Sequence, residues 1–379
     1  MIVKKLKLLY IWMVKINSKR KHDSFSKEIF LLSFPETSTH IIQKLYEKLD
    51  TRLIICYTNE GKELAEYFET KGCIIYNLNS IYILLKNVVP LLKQSNFVFC
   101  DNYFPFLAGI DFSDKTKVVQ LWHANGAIKS FGLEAEYAKE ATENDKKRYL
   151  DVYKKFTHYV VSSHKMATIF EKNYQQEIQE LPFGYPSTDV FFDNEWVKNS
   201  RKIFSKKFPT KKKTLLYVPT YREREQENPI DFSKLQKALG NEWQIFAKAH
   251  PHDKKLKKKL EMEKCIITDF REMTLNQMYP SVDCLITDYS SVPFEYTLAN
   301  PSGKIVFFCY DIKEYQESVG IESDFEKWAP GKIVVTIEDL IQAIREPAKQ
   351  NFDSFNQLWN EYAKGKSAEQ LIEWVDKQL

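Results

Sequence analysis

Residues 284–299 read Cys284-Leu285-Ile286-Thr287-Asp288-Tyr289-Ser290-Ser291-Val292-Pro293-Phe294-Glu295-Tyr296-Thr297-Leu298-Ala299. An apolar run of strand length ends in a threonine, an acid and two hydroxyls mark a turn, and a helical stretch follows. A strand that opens through a polar turn into a helix is the repeating half of a βαβ unit. The same alternation recurs on either side of it. Strands are predicted at 28–33, 52–57, 73–76, 97–100, 117–121 and 159–162, with helices between them such as 40–49, 62–70 and 81–93. A second set falls at 214–218, 244–248, 265–268, 284–287, 304–309 and 332–336, with helices at 232–239 and 275–278 among others. Residues 193–209 read as a connecting helix that runs into the polar patch Thr210-Lys211-Lys212-Lys213.

The expected fold class is therefore α/β, two doubly wound domains facing each other across a cleft, with ligands at the carboxyl ends of the strands. The expected division is a basic amphipathic segment over 1–22, an N-terminal Rossmann-like domain over 23–209 and a C-terminal Rossmann-like domain over 210–350. A helix within 351–379 packs back across the domains. A chain of 379 residues with 44 % hydrophobic and 14 % aromatic content has ample material for two cores, and 11 Gly and 14 Pro exclude collagen-like and low-complexity classes.

With 55 basic and 51 acidic residues the net charge is only +4, so composition gives no case for a nucleic-acid partner. The six cysteines (Cys56, Cys73, Cys100, Cys265, Cys284 and Cys309) lie in or beside apolar runs, with no C-x-x-C pair, and read as buried thiols in a reducing compartment. No segment reaches the ~20 apolar residues of a membrane span. The N-terminus is the local exception on charge. Lys4, Lys5, Lys7, Lys15, Lys19, Arg20 and Lys21 flank the run Leu8-Leu9-Tyr10-Ile11-Trp12-Met13-Val14. Apolar and aromatic bulk between lysines suits an interfacial helix on an anionic leaflet, so a peripheral position on the cytoplasmic face of the membrane is expected. The lysine-rich stretch 254–264 reads as a solvated helix face.

The chain contains no G-x-x-x-x-G-K-[ST] loop, no G-x-G-x-x-G after a strand, no G-x-S-x-G elbow and no H-E-x-x-H, so no cofactor and no metal site are expected. Four polar clusters remain, each at the end of an apolar run. Trp122-His123-Ala124-Asn125-Gly126-Ala127-Ile128-Lys129 follows the first, with a histidine, a glycine and a cation past a strand. Pro219-Thr220-Tyr221-Arg222 offers a hydroxyl and a guanidinium suited to phosphate oxygens, although Arg222 equally has Glu223 and Glu225 within reach as partners. In Ala249-His250-Pro251-His252 the proline holds His250 extended at a strand mouth. Asp288-Tyr289-Ser290-Ser291 opens a helix whose free N–H groups make an anion site, or simply an N-cap.

Together these clusters resemble the CDP-glycerol glycerophosphotransferase family of wall teichoic acid synthesis. The likeness runs in order over residues 102–315 and includes the strand at 304–309 followed by Asp311 and Tyr315. WHANGAIK is similar to the primase branch rather than to the W-H-G-T-P-L-K form of the polymerases. Two departures stand out. The family's G-x-P-R-x-D is here Gly184-Tyr185-Pro186-Ser187-Thr188-Asp189, without the arginine, and its aspartate after T-D-Y-S-S is Glu295.

The resemblance implies a GT-B-like pair of Rossmann-like domains, the acceptor on the side of 23–209 and CDP-glycerol bound by 210–350, and transfer of one glycerol phosphate from CDP-glycerol to the N-acetylmannosamine of an undecaprenyl-diphosphate-linked disaccharide, with CMP released. It implies His123 as general base and His250 on the diphosphate. Gly126, Lys129, Thr220, Arg222, Ser290 and Ser291 fall to the donor, with Asp288 and Glu295 orienting residues or meeting glycerol and ribose hydroxyls. Glycerol- or ribitol-phosphate polymerisation, a nucleotide-sugar glycosyltransferase and a non-catalytic nucleotide- or lipid-binding scaffold stand as alternatives. His22, His40, His158 and His164 receive no role.

Overall fold

Strands built from Ile, Leu, Val and Phe and buried on both faces require helices on both sides of the sheet, and the chain makes such a sheet twice. A computed structural model describes residues 2–19, 27–222, 229–250, 253–347 and 350–379. By internal contacts the chain divides into two units. The first comprises Met1–Ala124, Phe131–Asp189 and Tyr362–Leu379, and the second Asn125–Ser130 and Val190–Glu361.

The first unit holds strands β1 (Glu28–Leu32), β2 (Leu53–Tyr57), β3 (Ile74–Asn77), β4 (Phe97–Cys100), β5 (Lys117–Gln120), β6 (His158–Val160) and β7 (Glu180–Leu181). They form one parallel sheet in the order β3-β2-β1-β4-β5-β6-β7. The order reverses between β1 and β4, where loops leaving neighbouring strands diverge and open a crevice. Its helices include α1 (Ile2–Ser18), α2 (Pro35–Leu49) and α3 (Glu143–Tyr153). The core gathers Phe30, Leu45 and Phe97, each burial worth ~1.5–3 kcal/mol.

Helix α1 rests one edge on the 3-10 turn Pro105–Gly109. Val14 and Ser18 are fully buried there, and the Ser18 hydroxyl accepts the Asp111 N–H at 2.8 Å. A Cβ on Gly109 would meet Val14 Cγ1 at 2.9 Å, so this close approach needs glycine. The rest of α1 exposes Leu6, Leu8, Leu9, Trp12 and Ile16 among Lys7 and Lys15. Residue 1 and residues 20–22 of the expected membrane segment lie outside the described residues. Among the described residues no helix is long and apolar enough to cross a membrane.

The second unit holds β8 (Lys213–Tyr217), β9 (Trp243–Ala247), β10 (Ile266–Ile267), β11 (Cys284–Thr287), β12 (Lys304–Phe308) and β13 (Lys332–Val334), parallel and ordered β10-β9-β8-β11-β12-β13. Its switch point lies between β8 and β11. Its helices include α4 (Asn194–Lys207), α5 (Lys254–Met262), α6 (Val292–Ala299), α7 (Ile337–Arg345) and α8 (Asp353–Trp359). Asp193 starts α4 by accepting the Glu195 and Trp196 N–H groups. Buried Lys304 ends α7, donating to the Ala343 carbonyl at 2.8 Å and the Ile344 carbonyl at 3.1 Å. A last helix, α9 (Ser367–Gln378), returns to the first unit, where the Asp189 carboxylate accepts the Ser367 and Ala368 N–H groups at 2.9 Å.

Each predicted strand is present; β7, two residues long, is too short to read from sequence. Two expectations change. The division between units falls at 189/190 rather than 209/210, because α4 packs on the helical turns Leu275–Met278 and Tyr279–Ser281 of the second unit. The single helix expected within 351–379 is two helices, and between them Gly365 takes φ 74°, a conformation that ends helical winding. All six cysteines are free thiols, and Cys265 alone is half-buried rather than buried.

Candidate active site

Each unit carries a polar cluster at the carboxyl end of its sheet, anchored at its own switch point. In the second unit the loop after β8 must bring its backbone past β11, and Asp288, the first residue after β11, fastens it. The Asp288 carboxylate accepts the Thr220 N–H at 2.8 Å and its neighbour Tyr289 N–H at 2.7 Å. Its second oxygen takes Nη1 of Arg222 at 2.8 Å. Arg222 then forks onto Asp311 beyond β12, with Nε at 2.6 Å and Nη2 at 3.0 Å, and the Tyr289 hydroxyl donates to the same aspartate at 3.0 Å. A remaining Nη1 hydrogen goes to the Thr220 carbonyl at 2.9 Å.

The aromatic rings of Tyr289, Tyr310 and Tyr315 lie 4.9–5.7 Å from the guanidinium, and Tyr289 and Tyr315 stack at 3.9 Å. Burial opposes the Arg222 charge, yet the Asp311 hydrogen bonds and the Asp288 charge prevail and raise its pKa further. Most of the hydrogen-bonding capacity expected of Arg222 for phosphate is spent within the protein. Its partners are Asp288 and Asp311, and one Nη2 hydrogen remains uncommitted among the described residues. Glu223 and Glu225, its alternative partners in the sequence reading, lie outside the described residues.

Around this tied base sit groups suited to an anion. Thr220 is buried, and its hydroxyl has no hydrogen-bond partner among the described residues. Ser290 and Ser291 are half-buried at the head of α6, where Ser291 makes no side-chain cap and the Ser290 hydroxyl accepts the Val292 N–H only at 3.4 Å. Lys129 belongs to this unit. Its backbone bridges Ile321, flanked by the Glu322 N–H on the Ile128 carbonyl and the Ser130 N–H on the Gly320 carbonyl. Its side chain is exposed by area. The surrounding protein and the Arg222 charge nonetheless hold its pKa below the usual lysine value, against the pull of Asp288. His250 is exposed at the end of the β9 strand, its ring 5.7 Å from that of Tyr221; Pro251 and His252 lie outside the described residues. Glu295 sits half-buried one turn into α6.

Gly126 is buried, and a Cβ there would fall onto the Phe294 ring, so packing against α6 by itself requires the glycine.

In the first unit Asp101, just past β4, plays the part that Asp288 plays in the second. It is fully buried, and its carboxylate accepts the Ser33 and Phe34 N–H groups beyond β1, at 2.8 and 2.7 Å, and the Ser38 hydroxyl at 3.1 Å. Burial raises its pKa to about 6 in spite of these bonds. Its carbonyl faces Nδ1 of His123 at 3.0 Å. A carbonyl only accepts, so Nδ1 carries the hydrogen and the lone pair of the neutral ring is on Nε2. Phe34 stacks on the imidazole at 3.8 Å and 14°. Trp122 takes φ 64°, and is held in that strained form by the Gln120 amide oxygen on its N–H at 2.9 Å and the Tyr185 hydroxyl on its carbonyl at 3.2 Å.

Sequence reasoning thus brings Lys129, Thr220, Arg222 and Asp288 to one place in the second unit and His123 to a prepared place in the first. It misses Asp101, Phe34 and, as an ion-pair partner, Asp311. The two acids had a readable signal, since each stands one or two residues past a predicted strand. Of the remaining histidines, His158 is buried beside Trp374, with its pKa pushed down to about 4 by burial, and His40 and His164 lie 3.9 and 3.6 Å from Asp189 and Glu180. His22 lies outside the described residues. Asp189, in the loop that lacks the family arginine, serves α9.

The profile of the family described as CDP-glycerol:poly(glycerophosphate) glycerophosphotransferase matches residues 18–377. Over 364 residues the chain is 31 % identical to a teichoic acid glycerol-phosphate primase of Bacillus subtilis (strain 168), covering 93 % of this chain and 92 % of that one. It is 28 % identical to the enzyme of the same name from Staphylococcus aureus (strain NCTC 8325 / PS 47), covering 93 % and 91 %. Among solved structures, the wall teichoic acid polymerase TagF superposes with a TM-score of 0.75 at 18 % identity, covering 100 % of this chain and 94 % of that one. This likeness establishes an α/β, GT-B-like fold of two Rossmann-like units.

Proposed function

Since the chain belongs to the CDP-glycerol:poly(glycerophosphate) glycerophosphotransferase family, we propose that it is a teichoic acid glycerol-phosphate primase. It transfers a single glycerol phosphate from CDP-glycerol to an N-acetylmannosamine hydroxyl of an undecaprenyl-diphosphate-linked disaccharide. The hydroxyl oxygen bonds to the phosphorus that carries glycerol, the bridging P–O bond breaks, and CMP leaves with that oxygen. The hydroxyl proton passes to Nε2 of His123.

The observation that carries this reading is the fixed tautomer of His123. An imidazole whose Nδ1–H is committed to the Asp101 carbonyl, and whose ring is clamped by Phe34, presents its basic nitrogen in one direction. That is what general-base catalysis needs, worth ~10²–10⁴-fold. The donor diphosphate falls to Thr220, Ser290, Ser291, Lys129 and His250, in hydroxyl, N–H and cationic contacts. Arg222, Asp288 and Asp311 position that set. The exposed apolar face of α1 between Lys7 and Lys15 supports a peripheral place on the cytoplasmic membrane surface, beside a lipid-anchored acceptor.

A single-turnover assay with CDP-glycerol and a short-chain analogue of the lipid-linked disaccharide, resolved by mass, tests this. One added glycerol phosphate, no growth at excess donor, and loss of ~10²–10⁴-fold in His123→Ala are expected. A ladder of products makes the chain a polymerase, and His123→Ala at wild-type rates refutes the base.

A further inference from the structure

The first unit carries aromatic, cationic and apolar surfaces on connected elements, and the mechanism above uses only the apolar one, as a membrane contact. Tyr103 stands two residues after Asp101, whose carbonyl holds His123. Two peptide units span at most about 7 Å, so Tyr103 is anchored close to the base. Its ring meets Tyr149 of α3 edge to face at 6.2 Å and 71°, and Tyr149 meets Tyr137 at 6.3 Å and 89°. Tyr137 is 63 % exposed, and Tyr103 and Tyr149 are half-buried. Edge-to-face contacts fix three rings in orientation while leaving aromatic surface in water.

On α3, Lys147 is exposed and has no carboxylate partner among the described residues, whereas Lys146 and Arg148 pair with Glu143 and Asp145. The 3-10 turn Pro105–Gly109 that α3 packs on is also the turn that seats α1, with its exposed leucines and Trp12.

We propose that Tyr103, Tyr137 and Tyr149 form the platform for the sugar rings of the acceptor. Lys147 meets the acceptor diphosphate, and α1 meets the lipid that follows it. A pyranose ring presents a face of C–H groups that an aromatic ring covers without stripping water from its hydroxyls, and the phenol groups at the ring edges add hydrogen bonds. A saccharide, a diphosphate and a lipid chain occur in that order in such an acceptor, and aromatic, cationic and apolar surfaces occur together on these elements. The inference rests on the primase reading for the identity of the acceptor.

The test titrates a short-chain lipid-diphosphate disaccharide into the intact protein by calorimetry, without CDP-glycerol, and runs the transfer assay in parallel. Tyr137→Ala is expected to weaken acceptor affinity and raise acceptor KM about tenfold, with the donor KM unchanged. Tyr137→Phe, which keeps the ring, retains most of the affinity. Lys147→Gln weakens binding of the diphosphate-linked saccharide but not of the free disaccharide. Because Tyr137 is exposed, its variants keep the wild-type melting temperature. Wild-type acceptor affinity in Tyr137→Ala and Tyr149→Ala overturns the platform, even if transfer proceeds. Saccharide binding that weakens in the variants, in a protein that transfers no glycerol phosphate, upholds the platform and sinks the primase reaction instead.

Discussion

Replacing Asp311 by asparagine removes one charge from the buried cluster of the second unit and leaves its size intact. Arg222 sends Nε and Nη2 to this carboxylate at 2.6 and 3.0 Å, and Tyr289 adds a hydroxyl at 3.0 Å. The two ionic side chains are 11 % and 5 % exposed, so the pair is barely screened. Removing one partner of such a pair costs ~3–5 kcal/mol. Asp288 still holds Nη1 at 2.8 Å and asparagine keeps one acceptor oxygen, which puts the loss at the low end, about 3 kcal/mol. For a unit of this size that lowers the melting temperature by roughly 6–12 °C.

Urea denaturation at neutral pH, with calorimetry alongside, reads the loss directly. Arg222→Gln alone is expected to be as harmful, and the double variant to cost ~1–3 kcal/mol less than the sum of the two. An Asp311→Asn variant within about 0.5 kcal/mol of wild type, or strictly additive singles, would show that the fork stabilises nothing and refute the reasoning.

Three further outcomes are expected. Asp101 has its pKa raised from 3.8 to about 6, so over that window the folded chain binds a proton that the unfolded chain has released. Its contribution to stability is fully present below about pH 4 and is lost as pH rises through 6, about 3 kcal/mol in all; Asp101→Asn should flatten this part of the stability–pH curve, and parallel curves would contradict it. Gly126→Ala drives a methyl group onto Phe294 and should destabilise by ~1–3 kcal/mol in urea, with a neutral result excluding the packing role. Changing Lys7, Lys15 and Lys19 together to glutamine should weaken partition onto anionic vesicles by about 10²-fold at low salt, at ~1 kcal/mol per cation; unchanged pelleting would remove the electrostatic part of membrane attachment.

Much of the fold was legible because parallel strands buried on both faces leave short apolar runs that stand out against amphipathic helices, as at Leu53–Tyr57 and Lys304–Phe308. Where a strand ends, polar residues must follow, and His123, Thr220 and Asp288 were found by that rule. What stayed hidden is partnership across sequence distance. Arg222 lies next to Glu223 and Glu225 in the chain, yet among the described residues its ion pairs are with residues brought alongside by β11 and β12. Local pattern cannot weigh a neighbour against a residue on another strand. The 189/190 division was hidden for a related reason, since the lysine patch at 210–213 is a conspicuous change in composition, while the packing that assigns α4 leaves no mark in the local sequence. Gly126 shows another hidden partnership, a glycine in a promising motif that a phenylalanine ring from α6 requires.

The return of α9 to the first unit has a consequence for how the protein is made. Ala368, Leu371 and Val375 close the same core as Phe30, Leu45 and Phe97, and Asp189 waits for the Ser367 and Ala368 N–H groups. On the ribosome, the sheet of the first unit is complete once Leu181 has emerged, but its covering helix is synthesised only after the whole second unit. At ~5–20 residues per second that interval is on the order of ten to forty seconds. During it, the face of the nascent sheet that α9 will cover is open to water and to other chains. The order of synthesis therefore makes the second unit the first that can finish folding, and it makes the last helix, rather than any residue near the chemistry, the place where a truncation or nonsense mutation would leave an aggregation-prone product.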